Sequence, residues 1–158
     1  MNTDDLYIVN YRHRNCVTLK NIIRLPSEKA FKLAYEMAQQ NKDTTAFYRF
    51  ADFENYYSER LKTDKLLYSQ FVKMGGKAAE KHPLSFALQD SEYLDEWFGK
   101  GIVTKIPLNS IPDNCISFTY GDSMAVLKKQ GEFTMLTKIC LLKLFLIMMA
   151  LLLILSAI

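Results

Sequence analysis

The segment HPLSFALQDSEYLDEWFGKGIVTKIPL, residues 82–108, contains the signals of a strand, a helix and a second strand in succession. Residues 82–89 are predicted as the first strand, and residues 90–99 as a short helix that ends at a glycine, the residue that most often follows a helix. Residues 101–108 are predicted as the second strand. Because Pro107 has no backbone N–H, we expect that end of the strand at a sheet edge or at a strand terminus.

The residues before this segment predict one strand and two helices. LYIVNY (6–11) mixes β-branched and aromatic side chains, which is typical of a strand. Apolar residues recur at helical spacing over 25–41, where Ser27 is predicted as the N-cap. A second helix is predicted to begin at Thr63, its cap, and to stop at Gly75, because glycine readily adopts the left-handed conformation of a helix end.

The order of the predicted elements indicates the fold class. A further strand is expected at CISFTY (115–120), so the order is strand, helix, helix, strand, helix, strand, strand. This order predicts an α+β fold with a small mixed or antiparallel sheet and three short helices, plus an apolar C-terminal helix. We expect residues 1–134 to form the soluble α+β domain and residues 135–158 to form an apolar tail.

Composition argues against several classes of protein. The net charge of +3 is small and the basic residues are scattered, so we expect no binding to nucleic acid. The three cysteines are far apart and form no CxxC pair, and the chain has two histidines, so we expect no metal site. The chain begins with acidic residues rather than with a basic and then apolar leader, which favours a reducing cytoplasm.

Two groups of polar residues are candidates for a site. Tyr56 and Arg60 are four residues apart and share one face if their segment is helical, so they could stack on a base and pair with a phosphate. The alternative is an aromatic core with Arg60 covering its edge. His82 precedes Pro83, where an ordered loop histidine is common, and an acid–base role is the alternative.

The strand–helix–strand pattern of residues 82–108 resembles the middle of small bacterial ADP-ribosyltransferase-like domains, and the resemblance extends over about residues 6–120. It implies an NAD cleft lined by polar residues of the first strand, by a tyrosine-rich helical region and by a serine. NAD is therefore a possible cofactor, while the catalytic residues and an enzymatic role stay unassigned. The residues expected to bind the cofactor are Arg12, His13, Tyr56, Tyr57, Arg60 and Ser85.

The chain closes on KICLLKLFLIMMALLLILSAI, residues 138–158. From Ile139 this run is long enough for a membrane-spanning helix if Lys143 extends its ammonium group to the interface. Lysines precede the run and no charge follows it, so the positive-inside rule places residues 1–134 in the cytoplasm, as in a tail-anchored protein. A non-catalytic interaction domain displayed on a membrane is therefore the alternative function.

A second origin of the apolar tail stays open. Uniform runs of Leu, Ile and Met also arise when A/T-rich coding DNA is translated out of frame, and the protein would then be cytoplasmic and soluble. If the tail is genuine, residues 139–158 should form a helix that projects from the domain, because a helix that is apolar on every side cannot cover its whole surface on one small domain.

Overall fold

The computed structural model of the protein describes residues 3–42 and 44–156, with residues 149–156 described by their backbone alone. These residues form an α+β fold of helices around two small antiparallel sheets. The strands are β1 (Tyr7–Arg12), β2 (Ala87–Leu88), β3 (Ile102–Pro107), β4 (Ser117–Thr119) and β5 (Met135–Thr137). The helices are α1 (Ser27–Gln40), α2 (Phe53–Lys73), α3 (Glu92–Trp97), α4 (Ser123–Gln130) and α5 (Lys138–Ser156).

Strand β1 is the centre of the larger sheet, whose order is β2-β1-β3. Both of its neighbours run antiparallel to it, and its register with β3 extends from Tyr7 opposite Pro107 to Arg12 opposite Ile102. Ile8 and Val9 point to opposite faces of β1 and are both buried, so the strand is covered on both faces there, which suits its succession of β-branched and aromatic residues. Pro107 is the last residue of β3, so the expectation that proline would confine this strand end is confirmed.

The predicted order of elements and the α+β class are confirmed, but the sheet is divided, the helices are more numerous and one of them is longer. Strands β4 and β5 form a second sheet of their own. The described helices include α2, which has 21 residues, and α4, which the sequence analysis did not predict. The prediction of three short helices beside one sheet was therefore wrong in these details.

The predicted strand 82–89 shortens to Ala87–Leu88 because side chains take its backbone carbonyls. The Arg24 guanidinium donates to the carbonyl oxygen of His82, and Asn21 Nδ2 donates to that of Pro83. A third carbonyl, that of Ser85, accepts a hydrogen bond from a side chain of β1. Carbonyls bonded to side chains in this way leave no regular ladder for a strand to extend.

Two predicted helix starts were wrong, and one predicted helix end is confirmed. Pro26 is the N-cap of α1, and Ser27 is the first helical residue. Thr63 lies in the middle of α2, where its hydroxyl donates to the carbonyl oxygen of Glu59 instead of capping a helix. Gly75 has a φ of +87°, the left-handed conformation expected just after the end of α2.

Helix α2 begins earlier than predicted because aromatic packing holds its first turns against α1. Phe53 packs on Ala30 and Ala34, the two fully buried residues of α1. A short 3₁₀ segment, Thr45–Asp52, leads directly into the helix and contributes Phe50 to the same hydrophobic cluster. Buried apolar contact of this kind outweighs the weak preference of a single capping residue.

A second hydrophobic cluster lies on the sheet and includes the start of α5. Its buried members are Leu6, Ile8 and Leu108. The partly buried residues that pack against them are Phe86, Ile106, Ile111, Ile116, Phe118, Leu141, Leu142 and Phe145. The first turns of α5 are therefore attached to the domain, and the boundary predicted after residue 134 separates β5 from its partner β4.

Beyond its attached face, α5 exposes apolar side chains. Leu144 is 46% exposed, and the exposed fraction reaches 63% at Met148. The side chains of residues 149–156, and residues 157–158 altogether, lie outside the described part of the chain, so the expected projection of residues 139–158 stays a prediction. Within the described residues, no helix has the length and apolar character needed to cross a membrane.

A polar cluster at the surface ties β1 and β3 to the turn before α3. Asp90 accepts hydrogen bonds from the Tyr7 hydroxyl and from Lys105 Nζ, which lies 2.8 Å from its Oδ2. Hydrogen bonds from Lys105 and Tyr7 lower the pKa of Asp90. The hydrogen bond to Asp90 is the main cause that raises the pKa of Tyr7 and the pKa of Lys105.

Replacing Asp90 by Asn should lower the melting temperature at neutral pH. It should also make the melting temperature less dependent on pH in the acid range. A lowered folded-state pKa means that the Asp90 contribution to stability is present at neutral pH and is lost as pH falls through that pKa. Thermal unfolding of wild type and Asp90→Asn from neutral pH to acid pH should therefore show a difference that shrinks toward acid. The exposed carboxylate Glu36 provides the control, as Glu36→Gln. A difference between wild type and Asp90→Asn that is independent of pH would contradict this assignment.

Candidate functional site

The six residues expected to bind a cofactor line neither of the two cavities described below. Two of them, at the end of β1, are held by their own neighbours. The Arg12 guanidinium donates to the carbonyl oxygen of Cys16. His13 is buried, with its ring edge against Phe47 at a centroid distance of 5.1 Å.

The two tyrosines lie in the aromatic cluster between α1 and α2. Tyr56 packs on Phe50 and Phe53, and burial is the main cause that raises its pKa. Tyr57 packs on Phe53 and on Phe31. This packing matches the interpretation of the segment as an aromatic core.

Arg60 and Ser85 have separate surroundings. Arg60 is buried and forms an ion pair with Asp64, one turn further along α2. Ser85 is exposed, and its backbone carbonyl accepts a hydrogen bond from Asn10 Nδ2. Neither side chain lines either of the two cavities described below.

The strongest polar constellation in the described structure is one that the sequence did not predict, the pair Asp64 and His82. Asp64 has no exposed surface. Its Oδ2 lies 2.8 Å from His82 Nδ1, and its Oδ1 lies 2.7 Å from Arg60 Nη2. The contact to Arg60 is close but lacks the alignment of a hydrogen bond, so it acts as an ion pair. An ionised carboxylate only accepts hydrogen bonds, so Nδ1 of His82 is the donor.

The backbone on both sides of this histidine is also held in place. Arg24 Nε and Nη2 donate to the carbonyl oxygen of His82, over 2.8 and 2.6 Å. Asn21 Nδ2 donates to the carbonyl oxygen of Pro83 over 2.9 Å. Because Asp64 binds the Nδ1–H, the ring of His82 has its second nitrogen, Nε2, available as a base or ligand.

A cavity of about 440 Å³ opens beside this pair. Its lining residues are Ile23, Arg24, Tyr68, Ala78, Ala79, Glu80, Lys81 and His82, and we call it the His82 cavity. Its volume lies within the range of about 300–1,000 Å³ that is usual for small-molecule sites. A second cavity, of about 160 Å³, lies at the start of α5 beside Lys138 and is smaller than that range.

The sequence contains one signal for this site, and the misplaced helix start concealed it. Arg60 and Asp64 have the i, i+4 spacing of an ion pair on a helix face. Because α2 was predicted to begin at Thr63, Asp64 lay inside the predicted helix and Arg60 lay outside it. No local pattern relates either residue to His82, which is 18 positions from Asp64.

Among the described residues, no three His, Cys, Asp or Glu side chains come together in a way that could hold a metal ion. Comparisons of the chain with protein-family models, with curated proteins and with solved structures give no significant match.

Replacing Asp64 by Asn should lower the free energy of unfolding by about 3 kcal/mol or more, because it leaves Arg60 buried beside a neutral group. Urea unfolding measures this loss. Arg60→Gln in the same chain should restore part of it, since no unpaired buried charge then remains. The exposed Asp52, which makes no side-chain capping bond, provides the control as Asp52→Asn. An equal loss in Asp64→Asn and Asp52→Asn would contradict the assignment.

Proposed function

We propose that the protein binds an anionic, nucleotide-sized ligand in the His82 cavity, and that NAD is the first candidate. The observation that carries this proposal is the presence of two cationic side chains, Arg24 and Lys81, in the lining of a cavity large enough for a small molecule. An ordered histidine, His82, borders the same cavity.

The lining favours an anion over a neutral ligand. Arg24 uses Nε and one N–H of Nη2 on the carbonyl oxygen of His82, so other N–H groups of its guanidinium stay available. Lys81 is exposed and contributes a mobile ammonium group. Glu80 lines the same cavity and offsets one of the two positive charges. The balance is positive, as suits a phosphate group.

Tyr68 supports a ligand that also contains a base. It lines the His82 cavity from α2 and is partly buried. An aromatic ring next to cationic groups combines stacking on a base with pairing to phosphate, which are the two features of nucleotide binding. NAD is the candidate because the strand–helix–strand pattern of residues 82–108 resembles that of NAD-using domains, and its pyrophosphate carries two negative charges.

Replacing Lys81 by Gln should weaken NAD binding by roughly ten- to a hundredfold, the effect of losing one hydrogen bond to a charged group. Isothermal titration calorimetry on the full chain measures the Kd, and a thermal shift at millimolar NAD provides a second measure. Lys29→Gln is the matched control, because Lys29 is an exposed lysine of α1 outside the cavity lining. The Kd of Ser85→Ala tests whether NAD binds instead in the cleft that the resemblance implies. If millimolar NAD produces neither heat nor a thermal shift, the proposal is wrong.

The second candidate function is a non-catalytic interaction domain anchored in a membrane through residues 139–158, with residues 1–134 in the cytoplasm. The observation that favours it is the exposure of apolar side chains on α5, where Leu146 and Ile147 are each 57% exposed. Neighbouring exposed apolar residues of this size usually mark a contact with lipid or with a partner.

If this candidate is correct, the full chain should float with phosphatidylcholine vesicles in a density gradient, and Leu146→Glu with Ile147→Glu should reduce the floating fraction. Charged side chains in that face would have to be desolvated on contact with lipid. Val17→Glu is the matched control, since Val17 is an exposed apolar residue outside α5. Equal flotation of all three proteins, or no flotation of the wild type, would exclude the membrane contact.

A further inference from the structure

We further propose that the His82 cavity hydrolyses a phosphoric anhydride, with the His82 imidazole as the general base that activates a water molecule. This inference rests on the proposed function, because the anhydride belongs to the nucleotide bound there. The cluster that carries it is the fixed geometry of Asp64, His82 and Arg24 around the cavity.

The surroundings of His82 are those of an oriented base. The buried carboxylate of Asp64 accepts its Nδ1–H at 2.8 Å and holds the ring in one tautomer. Two hydrogen bonds from Arg24 hold its backbone, and Asn21 holds that of Pro83. The side chain is 26% exposed and lines the cavity, so water and ligand reach it.

Arg60 completes the arrangement from the opposite side of Asp64. Its guanidinium pairs with one carboxylate oxygen of Asp64, while the other oxygen accepts the proton of His82 Nδ1. When His82 gains a proton during the reaction, Asp64 also stabilises the resulting imidazolium. Asp64 is thus a positioning residue, and His82 is the group that exchanges a proton with the reacting water.

The proposed step is attack of water on one phosphorus of the anhydride. The water oxygen forms a bond to that phosphorus, and His82 Nε2 takes one of the two water protons. The bond from the same phosphorus to the bridging oxygen breaks, and its electron pair stays on that oxygen, which leaves as a phosphate oxygen of the second fragment. The imidazolium then returns its proton to solvent. For NAD the products are AMP and nicotinamide mononucleotide.

The charges of the cavity favour this bond over the glycosidic bond of the same molecule. Breaking an anhydride places negative charge on phosphate oxygens, which Arg24 and Lys81 stabilise. Breaking the bond to nicotinamide releases a neutral group and develops positive charge on the sugar. Two cations in the lining oppose that charge and outweigh the carboxylate of Glu80.

The variant that tests the inference is His82→Asn. An Asn side-chain NH₂ can replace Nδ1 as donor to Asp64, so the contact to the buried carboxylate is retained while the base Nε2 is removed. Wild type should convert NAD to AMP and nicotinamide mononucleotide, separated by chromatography. His82→Asn should lower kcat by about 100-fold or more, because a general base usually contributes at least that factor to the rate. The Kd for NAD should be unchanged. Lys29→Gln, purified identically, controls for contaminating enzymes.

The pH dependence provides a readout that a structural role would not give. The wild-type kcat should rise with pH and then reach a plateau, because a general base accepts a proton from water only in its unprotonated form, and this rise should disappear in His82→Asn. Circular dichroism establishes that the variant is folded. The inference is overturned if the wild type forms no AMP, if both proteins form AMP at the same rate, or if the rate of AMP formation does not depend on pH. NAD binding without AMP formation overturns it while the proposed function stands, and release of nicotinamide instead of AMP shows that the wrong bond was assigned.

Discussion

A buried carboxylate constrains the arrangement of this protein more than any other single group. Asp64 lies in the middle of α2 with no exposed surface, and an ionised side chain in such a place costs several kcal/mol unless partners surround it. Arg60 supplies one partner from the same helix, and His82 supplies the other from the segment that follows α2. Arg24, from the segment before α1, then binds the backbone of that histidine. The charge of Asp64 thus joins α2 to the segment of His82, and Arg24 joins the segment before α1 to the same histidine.

The segment of residues 82–85 also connects the two hydrophobic clusters of the fold. One cluster surrounds β1, and the other lies between α1 and α2, and the two share no residue among those described. His82 joins the segment to α2 through Asp64, and Asn10 of β1 donates to the carbonyl of Ser85. Polar contacts from both sides therefore hold the segment that borders the His82 cavity. A site held in this way keeps its geometry without a regular strand.

Helix α5 is attached at its start and exposed further along. Lys138 is buried, and its ammonium group donates to the carbonyl of Ile111 over 2.6 Å and pairs with Asp113 at 3.0 Å. A buried ammonium with two such partners fixes the direction of the helix at its first residue. Apart from Lys143, the described side chains that follow are apolar, and the domain covers some of them and leaves others, such as Leu146, exposed.

The sequence by itself determined those features that depend on one residue or on its near neighbours. The left-handed conformation at Gly75 and the strand end at Pro107 were predicted correctly, because each follows from what that residue's backbone permits. Tertiary structure alone decided the extent of the strand predicted at 82–89, since distant side chains take the carbonyls that a strand would have used. Tertiary structure also determined which residues form the candidate site. Asp64 and His82 are ordinary residues 18 positions apart, and only the packing that buries the first makes the second its hydrogen-bond partner.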